Sequence, residues 1–568
     1  MSKERKIYAT FFGNEQYPVE WKDDAEKDLM WFYDDLHCPN PISPLYYDVG
    51  GWWGTSCEYM YRRFGAPIGS NWIAKKINGY VYTAIVPPTT PPHQIGGLFE
   101  YYNKVMPIYA DTFLDRWNGE YIPNLKKWAK FMINFDWKNA SIPEMLIHME
   151  DCLDLQLRAF EIHWILNLAQ VQASGEFQAV YNELIPEDPD DDFPQITISN
   201  HDRNWDSLHE LWDIKEAIMK SPELKQLFLD QSVEVIMKQL RSFEGGESIF
   251  EMFEAYREEY GFKAMYTHEY IYPTWYEDPT PIYSAVKSYV ESDYDYLAHY
   301  EGCMKSQSDA IARARSKISD PDDLKRFNEK LELCLKMMPL TPDHHFYIDQ
   351  AIYASMRIMF LEIGKAYAAA GKLDDPEDIF MLEYEDVRCL GATDDYPGKE
   401  IAAKNRAMMV AADDHVPRYW YGTVDHWQLY EEVYKQALWG YPEIFEKEMR
   451  ELEANKPISK MEVKGVGGSA GVVEGFARVV ATPAEFDQIQ HGDIMICRMT
   501  NPGWIVSFSK ISGLVTDTGG VLSHPAVVSR EFGIPCVVGT TRATRIIHTG
   551  DRIRVDGNTG LVEILEKA

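Results

Sequence analysis

His524 follows the run Thr516-Asp517-Thr518-Gly519-Gly520-Val521-Leu522-Ser523 and stands just ahead of a helix-like stretch that includes Pro525, Ala526 and Arg530. Imidazole is an uncharged nucleophile near neutral pH and leaves readily once protonated, which suits it to hold a phosphoryl group for a short time. Gly519 and Gly520 allow positive φ and close backbone approach, so an anion can come near the main chain. Ser523 is placed to cap the following helix, whose unpaired N–H groups and roughly half a positive charge would face that anion. Thr518 and Ser523 offer hydroxyls for phosphate oxygens, and Arg530, about two turns into the helix, is the nearest cation. Gly-Gly is also an ordinary strand-to-helix turn, so the loop needs its neighbourhood to acquire a meaning.

The neighbourhood is a strand-helix-strand pattern. Ile511-Ser512-Gly513-Leu514-Val515-Thr516 reads as a buried strand before the loop, and Cys536-Val537-Val538-Gly539 as the next one. Further out, 568 residues with 45% hydrophobic content predict two to four domains with true cores. Residues 1–135 are rich in Trp, Tyr, Pro and Gly, and Asn78-Gly79 followed by Tyr80 to Val86 reads as a turn and strand, so this part is expected to be mixed α+β. Helix-length amphipathic runs at 143–184, 206–243, 246–260, 281–336, 344–371 and 427–454 predict a helical body over 136–455. Near Asn455-Lys456-Pro457 the composition turns glycine-rich and β-rich, which marks a further domain over 458–568. The expected architecture is therefore multidomain: a mostly α-helical body with a small α+β N-terminal part, then a C-terminal α/β domain.

The formal charge is −33, yet from Ile458 onward there are eleven basic and eleven acidic residues, so the whole excess lies before that point. Such a body disfavours nucleic acid and anionic membrane as partners. Pro186-Glu187-Asp188-Pro189-Asp190-Asp191-Asp192 reads as an exposed loop. No apolar run reaches membrane-spanning length and the first residues lead to no signal-like segment, so a cytoplasmic protein is expected. The eight cysteines are scattered, with no C-x-x-C pair and no metal-ligand spacing; no metal site is expected.

From Gly465 onward the sequence resembles the mobile phosphohistidine domain of PEP-utilising dikinases, the family of phosphoenolpyruvate synthase, pyruvate phosphate dikinase and rifampicin phosphotransferase. The ordered motifs are Gly467-Gly468-Ser469-Ala470-Gly471-Val472-Val473-Glu474-Gly475, Gly492-Asp493-Ile494-Met495, Thr500-Asn501-Pro502-Gly503-Trp504, the His524 loop and Val555-Asp556-Gly557. The resemblance implies that this is a swivelling domain and that His524 is the phosphorylated residue. Looser matches to the central region of rifampicin phosphotransferase-like proteins run through Pro41 to Leu45, Tyr260-Gly261-Phe262-Lys263 with Pro273-Thr274-Trp275, Leu340 to His344, and Leu373 to Phe380.

In that family a separate ATP-grasp domain charges the histidine, and the sequence contains no Gly-x-x-x-x-Gly-Lys-Ser/Thr loop. ATP and Mg²⁺ are therefore expected on a partner ATP-grasp subunit, with no cofactor tightly bound in this chain. The arrangement also resembles the phosphohistidine-bearing subunit of phenylphosphate synthase and of hydroxyphenyl-ketone dikinases. A small aromatic hydroxyl compound is the expected acceptor, giving aryl phosphate, AMP and phosphate. Two other readings are a phosphotransferase for a bulky natural product or antibiotic, and a phosphocarrier acting on another protein. The acceptor step needs a proton-accepting group and cations near the transferring charge. Lys263 and Glu269 match the family's charged pair around the Tyr-Gly motif, and His344, Asp349 and Arg357 are further candidates; His37 reads as a loop histidine that could line a pocket. Aromatic residues, concentrated before Ile458, could wall a flat apolar site.

Overall fold

The structure is a computed structural model that describes residues 21–34, 37–65, 69–187, 192–264, 266–413, 420–422, 461–481, 483–500, 507–520, 523–540 and 542–568, with Val19, Pro417 and Trp504. The run expected as a helix at 427–454, the boundary near Asn455 and most of the acidic loop, Asp188 to Asp191, lie outside the described residues. The chain forms two compact units: one comprises 1–172, 266–272 and 346–433, the other 173–265, 273–345 and 434–568.

The first unit contains a four-stranded antiparallel sheet of β1 (Met30–Tyr33), β2 (Asn71–Ile77), β3 (Tyr80–Val86) and β4 (Trp420–Gly422), in the order β2-β3-β1-β4. The turn expected at Asn78-Gly79 is present, and both residues have positive φ (52° and 88°), the requirement of a two-residue hairpin whose twist matches its strands. The strand before it, β2, was missed because its Lys75-Lys76 pair breaks the apolar alternation. One face of the sheet packs Trp31, Ile77, Tyr80, Tyr82, Ala84 and Tyr421 into a small core. The unit also contains the helices Pro92–Arg116, Ile122–Ile133 and Ala351–Ala369.

The second unit joins a helical array to the C-terminal sheet. Its helices include Arg203–Met219, Gly246–Tyr260, Thr280–Ser292, Tyr296–Ser316 and Pro321–Met337. Asp202, Asp295 and Asp320 each accept backbone N–H bonds at a helix start, so local chemistry explains where these helices begin. The long run expected at 281–336 is three helices, separated at Asp293, which takes a left-handed conformation (φ 50°), and at Asp320-Pro321. Phe177, Tyr181, Ala310, Ala314, Phe327 and Leu331 fill one core of the array.

The C-terminal sheet has eight strands: β5 (Glu462–Lys464), β6 (Val466–Ser469), β7 (Val472–Val479), β8 (Ile494–Cys497), β9 (Gly513–Thr516), β10 (Cys536–Val538), β11 (Arg552–Asp556) and β12 (Leu561–Glu566). Their order is β5-β12-β11-β7-β8-β9-β10-β6. The central pairs β7-β8, β8-β9 and β9-β10 are parallel, and the flanking pairs are antiparallel. All four residues of β8 and of β9 are buried, as expected of parallel strands covered on both faces. Thus the His524 loop leaves the carboxyl end of β9, passes into the helix His524–Glu531 and returns through β10. Ser288 Oγ lies 3.3 Å from Ser509 Oγ, and the rings of His299 and Phe532 are 4.8 Å apart, so the sheet region packs on the helical array within this unit.

Candidate functional site

Backbone chemistry sets the loop before any side chain acts. Gly519 has φ 107°, a conformation that favours glycine, and a Cβ there would stand 2.6 Å from Ser523 Oγ. Gly520 is not among the positive-φ residues; its carbonyl instead accepts bonds from Ser523 N (3.0 Å) and Ser523 Oγ (2.6 Å). This corrects the expected role of Ser523: it occupies the N-cap position, but its hydroxyl closes the loop rather than capping the helix. Asp517 anchors the other side through bonds to Thr540 and Thr544.

His524 opens the helix, with Thr500 Oγ1 2.9 Å from its Nδ1. Its Nε2 is shut off from solvent and has no hydrogen-bond partner, and the same is true of Thr518 Oγ1 in the adjoining loop. Two orphaned buried polar atoms in one loop region are what a group with several oxygens would satisfy. Where Nδ1–H donates to Thr500, the lone pair is on the unpartnered Nε2. Burial holds the ring's pKa well below its usual value, and the electrostatic influence of His345 and Lys263 pushes it the same way. His524 is therefore neutral at physiological pH, as attack on phosphorus requires.

Lys263 comes from the helical array of the same unit. The two sequence segments that carry the looser resemblance are paired: Ala264 bridges Thr274, Trp275 N donates to Lys263 O (2.8 Å), and Tyr276 N donates to Gly261 O (2.6 Å). Gly261 is needed there, because a Cβ would meet the Arg257 carbonyl at 2.3 Å. The Lys263 side chain is 2% exposed; its Nζ donates to Ser207 Oγ (2.6 Å) and lies over the rings of Trp275 and Tyr260. Burial first, and Arg203 second, lower its pKa to about 7, against a smaller opposing pull from Glu210.

The remaining candidates have other surroundings. Glu269 does not pair with Lys263 and belongs to the other compact unit. Its carboxylate receives Ser43 N and Ser43 Oγ, plus Tyr270 N and Ile271 N, and so fixes the start of the helix Pro44–Val49. Burial raises its pKa to about 7 despite those donors. Arg357 is also in that unit, bonding Tyr270 O and Glu377 and lying over the Phe380 ring. Asp349 faces His163 at 3.3 Å. His37 bonds Asp34 (2.7 Å) and joins an aromatic cluster about Trp52. His344 is fully buried in the second unit with Nδ1 2.7 Å from Leu340 O; its neighbour His345 is the histidine whose charge reaches His524. Arg530 lies six residues into the helix, about 9 Å along the axis and on a different face from His524.

Thr500, His345 and Ser207 escaped the sequence reading. Thr500 sat inside a recognised motif, and its position between β8 and the loop was the available signal. His345 had only adjacency to His344, and Ser207 had none.

Residues 489–560 match the family model for the PEP-utilising enzyme mobile domain, and residues 171–340 match the rifampicin phosphotransferase fourth domain. The chain is 24% identical to the uncharacterized phosphotransferase YvkC of Bacillus subtilis (strain 168) over 96% of its own length and 63% of that protein. It is 25% identical to the rifampicin phosphotransferase of Bacillus cereus over 62% of its own length and 39% of that protein. It is 43% identical to the phosphoenolpyruvate synthase of Pyrococcus furiosus over 20% of its own length and 14% of that protein. The chain thus spans less than two thirds of each of these curated relatives. His524 lies in the first matched segment and Lys263 in the second, and through these two segments the chain is similar to PEP-utilising enzymes and to rifampicin phosphotransferase.

Proposed function

We propose that this chain carries and transfers the phosphoryl group in an ATP-dependent phosphotransferase of the dikinase type. The observation that carries the reading is the buried, unpartnered Nε2 of a neutral His524. A separate ATP-grasp subunit, binding ATP and Mg²⁺, phosphorylates Nε2. The phosphoryl group then passes to the hydroxyl of a phenol or 4-hydroxyphenyl ketone, and the cycle yields aryl phosphate, AMP and phosphate. A phenol, with a pKa of about 10, asks less of a proton-accepting group than an alcohol would. No nucleotide step is assigned to this chain, which lacks a glycine-rich nucleotide loop of the Walker type.

A bulky natural product is the second reading, favoured by the match of residues 171–340 to the rifampicin phosphotransferase fourth domain. The test combines the chain with an ATP-grasp partner, ATP and Mg²⁺, and follows AMP release over a panel of phenols, rifampicin and candidate proteins. AMP with phenols supports the first reading, AMP with rifampicin alone the second, and AMP with a protein alone a phosphocarrier. Aryl phosphate made equally well by His524→Ala refutes the mechanism.

A further inference from the structure

A chain of ring contacts runs from the imidazole of His524 to the helical array of the same unit. Phe508, buried at 1% exposure, stands in the turn between β8 and β9. Hydrogen bonds fix that turn: Ser507 Oγ donates to Trp504 O (2.8 Å), Lys510 N donates to Ser507 O (3.1 Å), and Lys510 O accepts from Gly492 N (2.9 Å). The Phe508 ring meets the His524 ring in a T-shaped contact, with centroids 6.4 Å apart and planes at 87°, and it also meets Phe532 at 5.6 Å. His524 opens its helix and Phe532 closes it, so one aromatic ring touches both ends of that helix. The array reaches the neighbours of Phe508. Ser288, in the helix Thr280–Ser292, places its Oγ 3.3 Å from Ser509 Oγ, and His299, in the helix Tyr296–Ser316, packs on Phe532 at 4.8 Å while its Nδ1 is 2.6 Å from Tyr294 OH.

Among the described residues the imidazole has one hydrogen bond, at Nδ1 to Thr500, and Nε2 has none. A single bond at one edge leaves the ring able to turn about it, and a turned ring takes the Nε2 lone pair out of line with phosphorus; a misplacement of about 1 Å at a reacting atom can cost on the order of 100-fold in rate. A T-shaped aromatic neighbour opposes that rotation without offering a polar atom to compete for either nitrogen. We propose that Phe508 is the positioning residue of His524, holding the ring in the plane that keeps Nδ1 at Thr500 and Nε2 open to phosphorus, and that Ser288 and His299 of the array set Phe508 through Ser509 and Phe532. The inference rests on the phosphohistidine reading above. Phe508 touches neither phosphorus nor donor. In loading, the Nε2 lone pair forms the N–P bond as the bond from phosphorus to the donor's leaving group breaks, and the electron pair of that bond departs with the leaving group. The nucleophile is thus in its reactive orientation when the sheet region packs on the array.

The experiment loads the full chain with phosphoramidate, a small phosphoryl donor that needs no ATP partner, and follows phospho-His524 by ³¹P NMR over a range of donor concentrations, each rate scaled to the folded fraction. Phe508→Leu keeps apolar bulk without the ring. It is expected to lower the maximal loading rate about 3- to 10-fold, the size of one aromatic edge contact, while the half-saturating donor concentration stays within about twofold of native. ¹⁵N spectra of the His524 ring are expected to show one fixed tautomer in the native chain and averaged Nδ1 and Nε2 shifts in Phe508→Leu, a change that lost stability alone does not produce. His299→Leu is expected to slow loading by a smaller factor, and the double variant to be no slower than Phe508→Leu alone, because both substitutions act on one ring. A folded Phe508→Leu that loads at the native maximal rate, that loses only donor affinity, or that keeps the native ring shifts overturns the proposal. Additive losses in the double variant overturn the link to the array. Should Phe508→Leu fail to fold, His299→Leu carries the test, and native loading with native ring shifts in that variant overturns the proposal. If the native chain forms no phosphohistidine, or His524→Ala forms as much, the phosphohistidine reading itself falls and takes this inference with it.

Discussion

Thr500→Val removes one oxygen from the site while nearly preserving volume, and its consequence follows from tautomers. In the native site Thr500 Oγ1 is 2.9 Å from Nδ1, so the form with the proton on Nδ1 has a partner and the lone pair is on Nε2. Valine leaves Nδ1–H without an acceptor in a buried site. Leaving a buried donor unpaired costs about 1–3 kcal/mol, and where Thr500 accepts from Nδ1–H this penalty falls on the form whose lone pair is on Nε2. At about 1.4 kcal/mol per decade, phosphorylation of His524 should slow roughly 5- to 150-fold. The assay is the initial rate of acid-labile phosphate incorporation, with ¹⁵N chemical shifts of the ring reporting the tautomer. Thr500→Ser should recover most of the rate, because the hydroxyl returns. A valine variant that folds normally and phosphorylates at the native rate would refute the assignment of Nε2 as nucleophile through Thr500.

Three further outcomes are expected. Gly519→Ala must hold an alanine at φ 107° with its Cβ 2.6 Å from Ser523 Oγ, so it should destabilise the chain by about 1–3 kcal/mol in denaturant melts and lower phosphohistidine yield. Lys263→Met should raise stability at pH 7 by on the order of a few kcal/mol. The sign follows from a folded pKa depressed to about 7: between there and 10.5 the unfolded chain binds the proton that the native state lacks, so native stability rises with pH across that window, and the methionine variant should lose this slope. Glu269→Ala strands Ser43 N, Tyr270 N and Ile271 N, and should cost on the order of 3 kcal/mol by thermal melt while His524 in the folded fraction still accepts phosphate.

The parts of the molecule legible in sequence were those written in local chemistry. The strand-loop-helix around His524 announces itself by an apolar run, two glycines and a serine before a proline, and it folds accordingly. Asn78-Gly79 is a comparable local signal. The role of Ser523 was misread because two neighbouring acceptors compete for one hydroxyl: Gly520 O lies within the same tight loop and takes it, leaving the helix N–H groups for a ligand. Long-range arrangement was the larger loss. Lys263 and Glu269 are six residues apart, and the family resemblance suggested a charged pair; instead each is satisfied by a hydroxyl from a distant segment, Ser207 for one and Ser43 for the other. The helix Gly246–Tyr260 follows the amphipathic period, whereas the run expected at 206–243 is three helices interrupted at Ser221-Pro222 and Gln231-Ser232, and the interruption at Asp293 depends on one left-handed residue that periodicity does not record.

A phosphoryl carrier of this kind faces a physical conflict. The histidine must be neutral and shielded to act as a nucleophile, yet loading it brings a dianion into the same buried place, where uncompensated charge is expensive. The helix N-terminus and the glycine loop supply only partial charges. A fixed cation would answer the loaded state but would oppose release of the group. A lysine titrating near pH 7 answers both states, since the arriving dianion raises its affinity for a proton and departure lowers it again. Above pH 7 the empty site therefore holds mostly amine, and loading is expected to draw a proton onto it. Loading should take up close to one proton more in the native chain than in Lys263→Met per mole of phosphohistidine formed, measured with an indicator dye in weak buffer. Equal uptake in the two would mean that the charge of the phosphoryl group is met elsewhere, and that Lys263 has no part in it.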